Sequence, residues 1–133
     1  MSARIGFLAA LTAIAAVPVV GSPFPAPHAT VTVRMTAAHA FEPRVVTIRP
    51  GDEVVWTNDD RAVHAIVGDP WLALHRIDIE PPAPPEPFHS DDLGPGRSYR
   101  RTFELEGVYR YVCPHHEEEG MNGTVLVERA EKR

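Results

Sequence analysis

The chain has 133 residues, 44% of them hydrophobic, and its 13 basic against 18 acidic side chains leave a formal charge of −5 at pH 7. That length suits one domain with its own core, and the acidic balance excludes the basic surface that a nucleic-acid binder needs. One cysteine, Cys113, excludes a disulfide within the chain and leaves four roles for the thiol: a buried structural residue, an intermolecular link, a nucleophile or a metal ligand.

In chain order, residues 1–21 place Arg4 ahead of an apolar run from Ile5 to Val20, the order of a secretory signal peptide. The run is somewhat short of the ~20 apolar residues of a membrane span, so the chain is expected to be exported to the periplasm or the extracellular space, with a membrane tether if the signal is uncleaved. Residues 22–29, SPFPAPHA, are a proline-rich lead without periodicity and read as a linker. The domain is expected over residues 30–133.

Within it, short β-branched runs alternate with turn residues: TVTVRM at 30–35, RVVTIR at 44–49, EVVWTN at 53–58, VHAIV at 63–67, SYRRTFEL at 98–105, VYRYV at 108–112 and GTVLVE at 123–128. Seven such runs predict an all-β sandwich. Val31, Val33 and Met35 fall on one face of their strand, and Tyr109, Tyr111 and Cys113 share a face of theirs. Trp56, Phe41 and Phe103 are the expected core aromatics. Residues 68–90 interrupt the pattern with five prolines between Pro81 and Pro87, which a central strand does not tolerate. The segment is read as a long connection across one edge of the sandwich, with Trp71 to Ile79 either a short helix or an extra strand.

The chemistry concentrates in CPHHEEEGMNG, residues 113–123. A thiolate, imidazoles and a thioether form a soft mixed donor set that suits copper in both oxidation states. Cys113, His116 and Met121 supply three donors from this one loop, and His64, after WTNDDRA, is the best candidate for a second imidazole. His115 reads as a surface group, and His28, His39, His75 and His89 as solvated or structural. Glu117, Glu118 and Glu119 read most simply as a solvated loop, or as carboxylates that steer a basic partner.

The arrays FEPRVVTIRPGDEVVWTNDDRAVHAI at 41–66 and GRSYRRTFELEGVYRYVCPHHEEEGMNGTVLV at 96–127 resemble the cupredoxins, the small blue-copper proteins, and most of all their plastocyanin, pseudoazurin and halocyanin branch. The resemblance implies a Greek-key β-sandwich, with residues 68–90 as a proline-rich insertion before the last strands. It also implies one type 1 copper held by His64, Cys113 and His116 with Met121 as a weak axial ligand, and one-electron transfer to a redox partner such as a cytochrome or a copper oxidoreductase. The expected protein is a monomer and not an enzyme; the competing reading is a copper-trafficking or storage protein of the same compartment. The chain departs from the family pattern at Pro114, which directly follows Cys113, at Ala65, where many relatives carry a polar side chain after the histidine, and in the segment 68–90.

Overall fold

The computed structural model describes residues 27–130; the expected signal peptide, residues 1–21, lies outside them. Alternation of buried and exposed side chains produces the strands. In β1, Thr30–Thr36, Val33 and Met35 are buried while Thr32 and Arg34 face solvent. The pattern repeats in β3, Val45–Ile48, and in β7, Asn122–Val127, where Gly123, Val125 and Val127 point inward. Strand β4, Glu53–Asn58, buries Val54, Val55, Trp56 and Asn58 and leaves Glu53 and Thr57 partly exposed.

The strands form two sheets. One has the order β2-β1-β4-β5, with β2 at Ala40–Glu42 and β5 at Ser98–Thr102; the other has the order β3-β7-β6, with β6 at Gly107–Val112. β1 runs parallel to β4 and β3 parallel to β7, while the remaining pairs are antiparallel. Among the described residues the only helices are two short 3-10 turns, Arg76–Asp78 and Glu117–Glu119, so the fold is the all-β sandwich that the strand runs imply. None of them is long and apolar enough to cross a membrane.

The core lies between the sheets. Trp56 and Phe103 are fully buried and Phe41 nearly so, and they pack with Tyr109, Tyr111 and Phe88 in edge-on pairs such as Phe41 on Tyr111 and Phe103 on Tyr109, each with centroids 4.8 Å apart. Such geometry sets the positive ring edge against the negative face. The Tyr109 hydroxyl donates to the Leu105 carbonyl, 2.9 Å away, and pins the corner that enters β6.

Gly123 faces Tyr111 across the β6–β7 ladder, and a methyl group there would lie 2.4 Å from the phenol ring and hydroxyl. Because Tyr111 is enclosed by Trp56, Phe41 and Phe88, the ring has nowhere to retreat. Gly123→Ala is therefore expected to destabilise the domain by about 1–3 kcal/mol, the usual range for overpacking, read as a lower urea midpoint. An unchanged midpoint would mean that the Tyr111 ring has slack the packing does not suggest.

The strand readings need two corrections. VHAIV forms no ladder strand: only single bridges attach it, His64 to Leu93 and Val67 to both His89 and Val112. After the exposed Val63, its residues His64, Ala65, Ile66 and Val67 are all buried, so burial does not alternate along the run. Conversely, β2 went unread because three residues carry too little pattern. It pairs Phe41 with Met35 through a turn in which His39 takes a left-handed conformation, φ +50°.

Residues 68–90 run along the edge strand β6 and reach β5 of the other sheet: Arg110 donates to the Ile79 and Pro81 carbonyls, and Arg101 pairs with Glu86. Between Trp71 and Ile79 the segment forms a 3-10 turn at Arg76–Asp78 rather than a strand. Ile79 and Phe88 are buried from this segment, whereas Trp71, Leu72, Leu74 and Ile77 stay exposed. A surface depression of about 590 Å³ between Arg76, Ile77, Glu80, Pro81 and Ala83 lies in it too and contains none of the predicted donor residues.

Candidate metal centre

Two segments meet at one end of the sandwich. β6 delivers Cys113 at its C-terminal end, and the following loop folds back under three backbone bonds: His116 N–H to the Cys113 carbonyl, 3.0 Å, Met121 N–H to the His116 carbonyl, 3.1 Å, and Cys113 N–H to the Met121 carbonyl, 3.0 Å. The three donor-bearing residues of the loop are thus tied directly to one another. Gly120 makes the turn possible, since its φ of +82° lies where glycine alone is unstrained. His64 arrives from the other segment. Val67 and Val112 exchange both backbone bonds at 2.9 Å, which lays residues 64–67 against the end of β6, and His64 and Leu93 exchange theirs at 3.1 and 2.7 Å.

The result is a small triangle. Cys113 Sγ lies 3.7 Å from His64 Nδ1 and 3.6 Å from His116 Nδ1, and all three donor atoms fall within 4.8 Å of one another. Metal–nitrogen and metal–sulfur bonds of about 2.0–2.3 Å arranged as a triangle require donors roughly 3.5–4 Å apart, so the spacing fits a single ion. His64, Cys113 and Met121 are fully buried and His116 is partly exposed. A thiol, two imidazoles and an adjacent thioether form a donor set that suits copper better than harder cations.

The electrostatics of the pocket are mixed. Burial pushes the Cys113 thiol above its ordinary range, while the backbone amides of Ala65, His115 and His116 aimed at the sulfur pull it back toward the thiolate. Pro114 has no N–H, so the amides that reach the sulfur come from the two residues after it and from across the pocket. At Ala65 the backbone serves where the side chain offers nothing. Burial, then the neighbouring His39 and His64, lower the His116 pKa, which favours the neutral ring that a metal requires. His64 Nε2 lies 3.0 Å from the Asp60 carboxylate.

All four residues selected from the sequence therefore lie at this end of the sandwich. His115 is not part of the triangle: its Nε2 lies 2.7 Å from Asp92 Oδ1 at the surface. The acidic run, read as a solvated loop, is one only at Glu118 and Glu119, which are exposed. Glu117 is 6% exposed, and its two carboxylate oxygens accept the Leu74 and His75 N–H groups, each at 2.8 Å. It fastens the segment 68–90 to the donor loop. Glu119 pairs with His39.

His39, which nothing in the sequence singled out, stacks on His116 with centroids 3.8 Å and planes 28° apart. His39, His116 and Glu119 also bring their donor atoms within 4.8 Å of one another. However, stacked rings project their in-plane lone pairs side by side rather than toward a common point. His39 is thus a cover over one face of His116 and a poor chelating partner for it.

The family model of copper-binding proteins, plastocyanin/azurin family, matches residues 27–128. The chain is 36% identical over 103 residues to a plastocyanin of Scenedesmus fuscus, covering 74% of this chain and 99% of that one. It is 37% identical over 94 residues to a chloroplastic plastocyanin of Tetradesmus obliquus, covering 70% of this chain and 61% of the relative, so it spans less than two thirds of that protein's length. Among solved structures, a copper-containing nitrite reductase from Thermus scotoductus SA-01 superposes with a TM-score of 0.62 at 31% identity, over 85% of this chain and only 25% of the reductase. The buried triangle, the two-sheet sandwich and these matches agree: the chain belongs to the plastocyanin/azurin family of copper-binding proteins, a cupredoxin with copper as its cofactor.

Proposed function

We propose that this cupredoxin is an exported one-electron carrier in which His64, Cys113 and His116 hold a single copper ion and Met121 is its weak axial donor. The observation that carries the reading is the buried triangle of one sulfur and two Nδ1 atoms at 3.6 and 3.7 Å from the sulfur. Copper supplies a centre that can gain and return one electron. The chain's own part is to keep that exchange from requiring movement. Backbone bonds lock Cys113, His116 and Met121 to one another, the bridge to Leu93 fixes the His64 backbone, and the aromatic core behind them keeps water out. A set of donors that does not rearrange lowers the reorganisation that accompanies each electron. The partly exposed His116 is the donor through which a docked partner, such as a cytochrome or a copper oxidoreductase, is reached.

The proposed domain spans residues 30–133 after a signal peptide at 1–21 and a linker at 22–29, and acts as a monomer. The carrier reading is preferred over an enzyme because the chain matches 99% of the length of a plastocyanin at 36% identity, against 25% of the length of the reductase. The mature protein loaded with one equivalent of copper(II) should show an intense blue absorption with narrow hyperfine splitting, a reversible one-electron wave and slow copper release. A colourless or ordinary type 2 copper spectrum overturns the proposal; a blue site that hands its copper readily to an acceptor protein favours trafficking instead.

A further inference from the structure

We infer that Asp60 is a positioning residue for the metal centre: its carboxylate holds His64 as the Nε2–H tautomer with Nδ1 turned toward Cys113, and its negative charge favours the more oxidised state of the bound metal. The inference rests on the copper reading above and goes beyond it, because it assigns control of the redox balance to a side chain that is not a donor.

The geometry comes first. His64 Nε2 and Asp60 Oδ2 are 3.0 Å apart, and their side chains are 0% and 10% exposed. A carboxylate accepts and does not donate, so the proton on the His64 ring lies at Nε2. The lone pair is then left on Nδ1, the atom that faces Cys113 Sγ at 3.7 Å. Without a partner, a neutral imidazole distributes itself between two tautomers, and one of them presents an N–H to the sulfur. A carboxylate behind a ligating histidine both fixes the ring and raises the basicity of the donor nitrogen.

The charge comes second. An aspartate carboxyl is ionised at neutral pH, and Asp60 lies 3.0 Å from the His64 ring as an anion. Among the described residues no arginine pairs with it; the neighbouring Asp59 is taken by Arg34. An uncompensated negative charge one imidazole away from the centre stabilises the state with the greater positive charge. Reduction adds one electron and no proton to the centre, so the anion opposes it. Ring donation and Coulomb attraction act in the same direction, and both lower the reduction potential.

The turn that presents Asp60 is closed mainly by another side chain; Asp60 adds one bond, its Oδ1 accepting the Arg61 N–H at 2.6 Å. Asn58 closes the turn: its Oδ1 accepts the Asp60 N–H at 2.8 Å, and its Nδ2 donates to the carbonyls of Ala62 and Leu93 at 2.8 and 2.9 Å. A substitution at residue 60 can therefore alter the charge with the loop still closed.

The test compares the wild type with Asp60→Asn, which keeps an acceptor oxygen and removes the charge, and with Asp60→Glu, which keeps the charge. Asp60→Asn is expected to retain the blue spectrum and to shift the balance toward the reduced form about tenfold, which is about 59 mV upward for one electron. Asp60→Glu should stay nearer the wild-type value. Nitrogen NMR of the copper-free wild type is expected to show the Nε2–H tautomer at His64, and Asp60→Ala a mixture of tautomers. A blue Asp60→Asn protein with an unchanged potential overturns the tuning role, and an Nδ1–H tautomer in the wild type overturns the positioning role. A wild-type chain that forms no blue site defeats the copper reading and the tuning role with it, while the copper-free spectrum still judges the tautomer.

Discussion

Cys113→Ser is expected to abolish the intense blue absorption of the copper-loaded protein and to leave at most a pale, ordinary copper spectrum. The band arises from charge transfer between a thiolate and the metal, and a serine hydroxyl neither ionises near neutral pH nor offers a soft donor. The exchange is nearly isosteric. Cys113 is fully buried, and its backbone bonds to His116 and Met121 do not involve the sulfur, so the copper-free variant should unfold within about 1 kcal/mol of the wild type, allowing for the buried hydroxyl. Absorption and paramagnetic resonance spectra of both loaded proteins, beside urea unfolding of both copper-free proteins, make the comparison. Persistence of the band in the serine variant would remove Cys113 from the centre.

Glu117→Ala is expected to cause the largest loss of stability outside the aromatic core. The carboxylate takes two consecutive amides, from Leu74 and His75, at 2.8 Å each, and hydrogen bonds to a charged group are worth about 1.5–3 kcal/mol each. Water entering the emptied position returns part of that, so the expected destabilisation is about 2–3 kcal/mol. The effect should also be local. Amide exchange at Leu74 and His75 is expected to accelerate far more than in β6, because Glu117 is the side chain that ties this segment to the donor loop. Glu117→Gln should fall between, since its single carbonyl oxygen can take only one of the two amides. Unaltered exchange at both positions in Glu117→Ala would show that the segment is held without Glu117, by the buried Ile79 and Phe88 and by the Arg110 bonds to its carbonyls.

The parts of the molecule that could be read from the chain are those whose cause is local. Alternation in TVTVRM and RVVTIR reflects one dry and one wet face of a strand, and the buried Val33, Met35, Val46 and Ile48 follow it. Cys113, His116 and Met121 were legible as a group because one loop carries all three, and spacing along a loop survives folding. Where burial ceased to alternate, the reading failed. VHAIV has the composition of a strand, yet beyond the exposed Val63 its four residues are consecutively buried and attached by single bridges. The reading of the acidic run failed at Glu117 for a related reason: charge alone suggests solvation, and only the nearness of two amides 43 and 42 residues earlier in the chain makes burial of Glu117 favourable.

Strand periodicity by itself determined an all-β sandwich and loop spacing grouped Cys113, His116 and Met121 as candidate donors, while the cupredoxin kind and the full ligand set with His64 rested on the resemblance of two stretches of the chain to that family. Tertiary structure alone decided how that end is controlled. The Asp60 carboxylate behind His64, the His39 ring over His116 and the Glu117 clamp on residues 74 and 75 all join groups whose partnership depends on direction as well as on position in the chain. Hydrogen bonds and ring stacks act over about 3–4 Å and depend on angle, so they exist only after the two sheets have closed and the loops at their end have met.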